Sequence, residues 1–248
     1  MEKIKLEICC GSADDVMESY KGGAERVELN SSLFHGGLTP SVGSLIAARE
    51  SAPIPIIAMV RPRPGGFCYT INEYKTALYD ARALLENGAR GLVFGFLNPD
   101  GTVDEARTKE LVNLSRGKET VFHRAIDVTP DWKRALDTLI KLGVKRVLTS
   151  GQASNVFFAL ETICEMVQFA KGAIEILPGA GITKQNAARV AQVTGCTWLH
   201  LKQHKSVMDT STLNNRNIYF GGALYPPEDS FEVIDSEYIG EMTRQLNN

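Results

Sequence analysis

The sequence predicts an α/β protein folded as a TIM-type (β/α)8 parallel barrel. Its 248 residues are close to the length of about 250 that is typical of such barrels. Eight short apolar runs alternate with longer amphipathic stretches, as expected for parallel strands joined by helical crossovers. Four of the amphipathic stretches end in a glycine just before the next apolar run, which indicates one repeated helix–glycine–strand unit.

The strands are predicted at the short apolar runs. Eight such runs favour closure of the sheet into a barrel, and an open doubly wound sheet is the alternative. In chain order the predicted strands are Lys3–Cys10, Arg26–Asn30, Pro55–Arg61, Gly91–Gly95, Thr120–Arg124, Arg146–Ser150, Ile174–Pro178 and Thr197–Lys202.

The helices are predicted at the amphipathic stretches between the strands. Ser12 is the expected N-cap of the first helix, and Thr183 is expected to open the helix after strand seven. Glycine favours the left-handed conformation that ends a helix, and Gly23, Gly88, Gly143 and Gly195 are in that position. In chain order the predicted helices are Ala13–Lys21, Val42–Glu50, Glu73–Asn87, Asp104–Ser115, Asp131–Leu142, Asn155–Ala170 and Lys184–Thr194.

The pattern changes after Lys202. Residues 203–236 are polar and irregular, with Gly221-Gly222 and Pro226-Pro227, and a short helix is predicted at Glu237–Leu246. The last barrel helix is therefore expected to be displaced, or replaced by an irregular C-terminal tail. We expect residues 1–248 to form one domain, with the tail 203–248 packing on the barrel or on a second subunit of a homo-oligomer.

Composition excludes several classes of function. The chain has 27 basic and 29 acidic residues and a net charge of −2, so it lacks the broad basic field that nucleic acid requires. No run approaches the ~18 apolar residues of a membrane span, and the N-terminus lacks the pattern of a signal peptide. Five scattered cysteines, an odd number, are typical of reduced thiols in a cytoplasmic protein.

Alternation along the strands places polar side chains inside the barrel. In strand one Leu6, Ile8 and Cys10 share one face, which should meet the helices, while Glu7 and Cys9 point toward the axis. Charged groups inside parallel strands are unusual and must pair. The same argument turns these further residues inward: Glu28, Asn30, Trp198, His200 and Lys202.

Five polar residues on or near the ends of strands one, two, three and five suggest a catalytic site at the C-terminal mouth, where barrel enzymes keep their sites. Glu7 or Glu28 would act as general base and His123 as acid–base partner. Arg61 and Arg124 would clamp an anion. The alternative is a purely structural ring of ion pairs formed by Glu7, Glu28, Arg61 and His123.

Two glycine-rich turns are candidate anion sites. Gly151 and Gln152 follow strand six, and Gly179 and Gly181 follow strand seven, each before a helix. Backbone N–H groups at such turns bind anions, and many barrels hold phosphate in late loops. Tight turns alone would also require glycine.

Sulfur and imidazole groups are the candidate metal ligands. Cys9 is the best-placed thiol, and Cys68 follows in the loop after strand three, with His123 and His200 as possible imidazole ligands. Cys10, Cys164 and Cys196 are expected to be packing residues. The spacings of zinc and redox motifs do not occur.

Taken together, the motifs resemble the CutC copper homeostasis protein family from strand one through strand eight, with weaker similarity at Arg216-Asn217. The stretches that carry the resemblance are Leu6-Glu7-Ile8-Cys9, Gly23-Ala24-Glu25-Arg26-Val27-Glu28-Leu29, Gly36-Gly37-Leu38-Thr39-Pro40-Ser41, Arg61-Pro62-Arg63 with Phe67-Cys68-Tyr69, Phe122-His123-Arg124-Ala125 with Asp127, Arg146-Val147-Leu148-Thr149-Ser150-Gly151-Gln152, and Pro178-Gly179-Ala180-Gly181-Ile182 with Asn186.

The resemblance implies a cytosolic barrel that handles copper and binds Cu(I) through cysteines. It implies that Cys9 is the family's first-strand cysteine. A second cysteine, which many members have at the end of strand two, is Asn30 here, and an amide binds Cu(I) less well than a thiolate. Gly66 replaces a common acidic residue and Lys202 a common serine, and both changes favour anions at the mouth.

Two functions are therefore expected in competition. The first is a Cu(I)-binding homeostasis protein, whose partner is the copper ion. The second is a barrel enzyme that acts on a small anionic or phosphorylated metabolite. A non-catalytic barrel that binds a partner is a third possibility, which the irregular tail permits.

Overall fold

A computed structural model confirms the eight-stranded parallel barrel; it describes residues 3–215, 217–221 and 227–247. The strands follow one another around the sheet in the order β8-β1-β2-β3-β4-β5-β6-β7, with every neighbouring pair parallel. They are β1 Lys5–Cys10, β2 Arg26–Leu29, β3 Ile56–Met59, β4 Gly91–Phe94, β5 Glu119–Phe122, β6 Arg146–Thr149, β7 Glu175–Pro178 and β8 Trp198–Leu201.

The two edges of the sheet, β7 and β8, lie side by side and nearly close the ring. A Cβ atom added to Gly179, just after β7, would lie 3.3 Å from the Cβ atom of His200 in β8. The open-sheet alternative is therefore wrong, because an open sheet would hold its edge strands apart.

The helices lie outside the strands, and their ends follow the local sequence. Ser12 accepts a hydrogen bond from the Asp15 N–H, so the first predicted N-cap is confirmed. The helix after β7 begins at Ala187 with Asn186 at its cap position, which corrects the prediction that Thr183 opens it. The helices are α1 Ala13–Lys21, α2 Val42–Ser51, α3 Ile71–Glu86, α4 Glu105–Leu114, α5 Trp132–Leu142, α6 Leu160–Ala170, α7 Ala187–Thr194 and α8 Ser236–Asn247.

The C-terminal tail is more regular than its sequence indicated. Residues His204–Met208 (β9) and Ser230–Ile234 (β10) form an antiparallel pair, and α8 follows directly. The Ile234 N–H donates to the Asp15 carboxylate in α1, and Ile239 packs against Gly22. The tail thus packs on the barrel and delivers the displaced helix α8 beside α1. Of the residues singled out in the tail, Arg216, Gly222 and Pro226 lie outside the described residues.

The barrel interior has three layers. At the amino-terminal ends of the strands, two buried arginines pair with carboxylates around the Trp198 ring. Arg26 contacts Glu7 and Glu119, and the other arginine, Arg146, contacts Glu119 and Glu175. Above them lies a small apolar cluster, and above that the polar mouth. The apolar cluster consists of Ile57, Met59, Val93, Val121, Leu148 and Leu177, with Trp198 packed against it.

None of the helices in the described part of the chain combines the length and apolar character that spanning a lipid bilayer requires.

Candidate functional site

Three possible metal ligands meet at the carboxyl ends of β1, β2 and β8. Cys9 lies directly opposite Glu28 in the β1–β2 ladder, and His200 comes from β8 on the other side of β1. The Cys9 sulfur, a Glu28 carboxylate oxygen and a His200 ring nitrogen all lie within 4.8 Å of one another. We call these three residues the Cys9 cluster. Alternation along the strands predicts that all three side chains point inward.

Glu7 supports this cluster from below. It accepts a hydrogen bond from Arg26, and its Oε1 lies 2.8 Å from His200 Nδ1. Burial alone would raise the pKa of Glu7, but the charge of Arg26 and the His200 hydrogen bond lower it to about 2. A carboxylate this acidic is a weak base. This corrects the prediction that Glu7 serves as a general base; Glu7 orients His200 and leaves its Nε2 for a ligand.

Burial and neighbouring charges raise the pKa of each of the three groups in the Cys9 cluster. Burial and the nearby charge of Glu28 raise the pKa of the Cys9 thiol well above 9.0, and burial also raises the pKa of Glu28. Burial acts to lower the pKa of His200, but the Glu28 charge and the Glu7 hydrogen bond raise it above 6.5. The Cys9 thiol is therefore neutral around neutral pH, and a cation bound through its sulfur would displace that proton.

The opposite half of the mouth is formed by Arg61 and His123, which follow β3 and β5. Arg61 donates to the carbonyl groups of His35, Gly37 and Gly65, and so fixes two loops at the mouth. Its guanidinium carbon lies 5.4 Å from the centre of the Phe67 ring. The structural ion-pair ring proposed for Glu7, Glu28, Arg61 and His123 is not formed, because Arg61 contacts carbonyl oxygens and His123 contacts no carboxylate among the described residues.

His123 is a neutral side chain. Its Nδ1 accepts the Ala125 N–H at 3.1 Å, so the ring proton lies on Nε2. Burial, together with the positive charge of Arg61, lowers the pKa of His123 to about 3. The ring is therefore unprotonated around neutral pH and offers an N–H donor from Nε2, and its role as an acid–base partner stays a prediction.

Asp127 fills the first predicted anion site from within the chain. Its carboxylate accepts the N–H groups of Ser150 and Gln152, at 3.0 to 3.2 Å. The Gly151 N–H donates to the Thr149 hydroxyl, and Arg124 pairs with Asp127 at 2.8 Å. The prediction of Gly151 and Gln152 as an open anion site is therefore corrected. Arg124 neutralises this internal carboxylate, which corrects its predicted role as a clamp on a ligand.

The turn after β7 is shaped by close packing. A Cβ atom on Gly179 would lie 2.8 Å from Leu148 Cδ1 and 3.3 Å from His200 Cβ, so only glycine fits beside the cluster. Gly181 has a φ of +79° and packs against Asn155. Tight packing thus accounts for both glycines, and anion binding at this turn stays a prediction.

The remaining thiols and Lys202 lie around this centre. Cys68 is exposed in the loop after β3 and has no part in the Cys9 cluster, so its role as a metal ligand stays a prediction. All five cysteines are free. Lys202 lies at the mouth, where its charge acts against the raised pKa of Cys9, and its Nζ lies 3.6 Å from Glu232 of β10.

Sequence reasoning missed the residues that hold the cluster in place. Arg26 shares the inward face of β2 with Glu28, so alternation alone could have identified it. Arg146 opens β6, and each of its carboxylate partners, Glu119 and Glu175, opens a strand, a position that carried no signal of its own.

Comparison with known proteins decides the family. Residues 4–205 match the sequence profile of the CutC family. A Treponema denticola protein, named as a CutC family protein, is 50% identical over the full length of both chains. The mouse protein named copper homeostasis protein cutC homolog is 39% identical over 93% of this chain and 85% of its own. The chain belongs to the CutC family.

A solved CutC structure confirms the fold assignment. The crystal structure of a Streptococcus agalactiae protein named for copper homeostasis and CutC is 32% identical, with a TM-score of 0.76 over 80% of this chain and 98% of its own. This CutC family member carries Asn30 beside the Cys9 cluster. The Asn30 Nδ2 donates to Glu28 Oε1 at 3.0 Å and lies 3.5 Å from the Cys9 sulfur. The amide therefore offers hydrogen-bond donors to the cluster where a second thiolate would have offered a ligand.

Proposed function

We propose that this CutC family member binds a copper ion at the Cys9 cluster and serves copper homeostasis. The observation that carries the proposal is the convergence of the Cys9, His200 and Glu28 donor atoms within 4.8 Å. The names of the curated relatives, which refer to copper homeostasis, support it.

The donor set fits copper better than a hard cation. Thiolate is the ligand that favours Cu(I), and imidazole suits copper in general. Glu7 gives His200 a carboxylate partner on its other ring nitrogen, an arrangement common behind metal-bound histidines. Cys9 and His200 would hold Cu(I), and Glu28 lies beside them, with its Oε1 3.9 Å from the Cys9 sulfur.

Competition for Cu(I) under anaerobic, reducing conditions tests the proposal. The protein should take about one equivalent from a chromophoric Cu(I) chelator, and Cys9→Ser and His200→Ala should each weaken binding at least tenfold. Cys164→Ser is the matched control, because Cys164 lies on α6 outside the cluster, and it should bind as the wild-type chain does. Equal affinity for wild-type and Cys9→Ser protein would refute the site.

The proposal places this function in the cytoplasm. Five free cysteines support a reducing compartment, in which thiols persist and copper is carried as Cu(I).

A second candidate function is acid–base catalysis on a small anionic metabolite. It is favoured by Glu28, a buried carboxyl group whose raised pKa suits proton transfer near neutral pH. Incubation with small hydroxy and keto acids in deuterium oxide would then exchange a carbon-bound proton, and Glu28→Gln would abolish the exchange. Absence of exchange across such a panel would remove this candidate.

A further inference from the structure

Three buried hydrogen-bond donors at the mouth lack an acceptor among the described residues. They are the Arg61 Nε, the Tyr69 hydroxyl and the His123 Nε2. The three side chains are only 7%, 4% and 4% exposed. Buried donors in folded proteins are almost always paired, so three unpaired donors in one region indicate that an acceptor belongs there.

The charge of Arg61 points to the kind of acceptor. Three N–H bonds of Arg61 go to neutral carbonyl oxygens, its other side-chain hydrogen bond is with the neutral Tyr69 hydroxyl, and its Nε has no partner. The other two buried arginines, Arg26 and Arg146, each contact carboxylates. Within the described residues, Arg61 is therefore the buried arginine without a counter-ion. Water could satisfy its donors but could not neutralise its charge.

The donors share one wall of the mouth. The rings of Phe67 and His123 lie 4.7 Å apart, and Arg61 lies against the same Phe67 ring. The Tyr69 hydroxyl lies beside the Arg61 guanidinium, and because burial raises its pKa it stays a neutral donor. Phe67 follows Gly65 and Gly66 in the loop after β3. The space around Gly66 is open, because a Cβ atom placed on it would have no neighbouring atom within 4 Å.

We propose that Arg61, Tyr69 and His123 bind the oxyanion group of a small metabolite, a carboxylate or a phosphate, and that Phe67 covers this site in the ligand-free chain. A fixed cation and two neutral donors suit an oxyanion, and buried donors of this kind stabilise negative charge strongly. The oxyanion site uses none of the residues of the Cys9 cluster, so a test of anion binding does not depend on whether the protein binds copper.

Thermal unfolding with two probes tests the site and separates the two oxyanions. Inorganic phosphate and glycolate are titrated to about 50 mM at constant ionic strength, and the midpoint of wild-type unfolding should rise saturably with one of them. His123→Leu removes the donor and should weaken binding at least tenfold, whereas His123→Gln, which keeps an N–H donor, should retain part of it.

Two controls make the result specific. Lys75→Gln removes an exposed cation on α3, and it should bind the probe as the wild-type chain does. Cys9→Ser should also retain binding, which separates this site from the copper site. Because His123→Leu removes a buried polar side chain, a second readout is the ¹⁵N signal of the His123 ring in wild-type protein, which should shift on addition of the probe.

The proposal fails if neither anion gives a saturable rise and neither moves the His123 signal. It also fails if His123→Leu binds as tightly as the wild-type chain. Equal losses in Lys75→Gln and His123→Leu would show general screening of surface charge and would overturn the site as well.

Discussion

Replacement of Glu7 by glutamine should destabilise the barrel in a way that depends on pH. Glu7 is a buried carboxylate held by Arg26 and His200, and its pKa falls from 4.5 to about 2 on folding. At about 1.4 kcal/mol per pKa unit, this fall corresponds to about 3 kcal/mol of stability at neutral pH. Removing one partner of a buried ion pair typically costs about 3–5 kcal/mol, which agrees.

The sign follows from the lowered pKa. The stabilisation is complete above pH 4.5, where the carboxyl is ionised in both states, and it is lost as the pH falls toward 2. Part of it should already be lost at pH 3.5, because the unfolded chain takes up the proton first.

Urea unfolding of wild-type and Glu7→Gln protein, followed by circular dichroism between pH 7 and pH 3.5, measures this difference. Glu86→Gln is the matched control, because Glu86 is exposed at the end of α3, and it should change stability by less than about 0.5 kcal/mol. A difference for Glu7→Gln below about 1 kcal/mol at pH 7, or one that does not shrink in acid, would refute the electrostatic role of Glu7.

Three further outcomes are expected. Cu(I) affinity should rise about tenfold or more per pH unit between pH 6 and 8, because the pKa of Cys9 is raised and its proton must leave when the metal binds. An affinity that does not depend on pH would contradict this. Gly179→Ala should destabilise the protein by about 1–3 kcal/mol through its contacts with Leu148 and His200, and unchanged urea unfolding would argue against that packing. The predicted homo-oligomer should form through the exposed apolar side chains of the tail, Met208 and Phe231. Light scattering should give a mass above the 27.2 kDa of one chain, and Phe231→Asp should lower that mass. A monomeric mass for the wild-type protein would refute the oligomer.

Eight apolar runs separated by amphipathic stretches were enough to predict the fold, and alternation along the strands predicted the inward direction of Cys9, Glu28 and His200. It succeeded because strand side chains alternate strictly between two faces, and a polar residue on the inner face stands out from an apolar pattern. Alternation did not predict the chemical roles of these side chains, because a role depends on contacts with residues from other strands. Glu7 looked like a base until Arg26 and His200 were seen to hold it as a carboxylate.

The apolar and polar pattern of the strands could not predict the contacts that loops make. The carboxylate of Asp127 reaches the turn after β6 from the loop after β5, and no spacing in the chain indicates that pairing. The β9–β10 pair was missed because its strands are polar and partly exposed, with only Ile234 fully buried, so they lack the apolar signal of the barrel strands.

The layered interior makes Trp198 a fluorescent reporter of ligand binding at the mouth of the barrel. The guanidinium of Arg26 lies 4.0 Å from the centre of the Trp198 ring and also holds Glu7, which in turn holds His200. A cation that binds His200 therefore changes the electric field at the indole without touching it. The chain has two tryptophans, and in a Trp132→Phe background the emission of Trp198 should report occupancy of the Cys9 cluster in real time, with no added label.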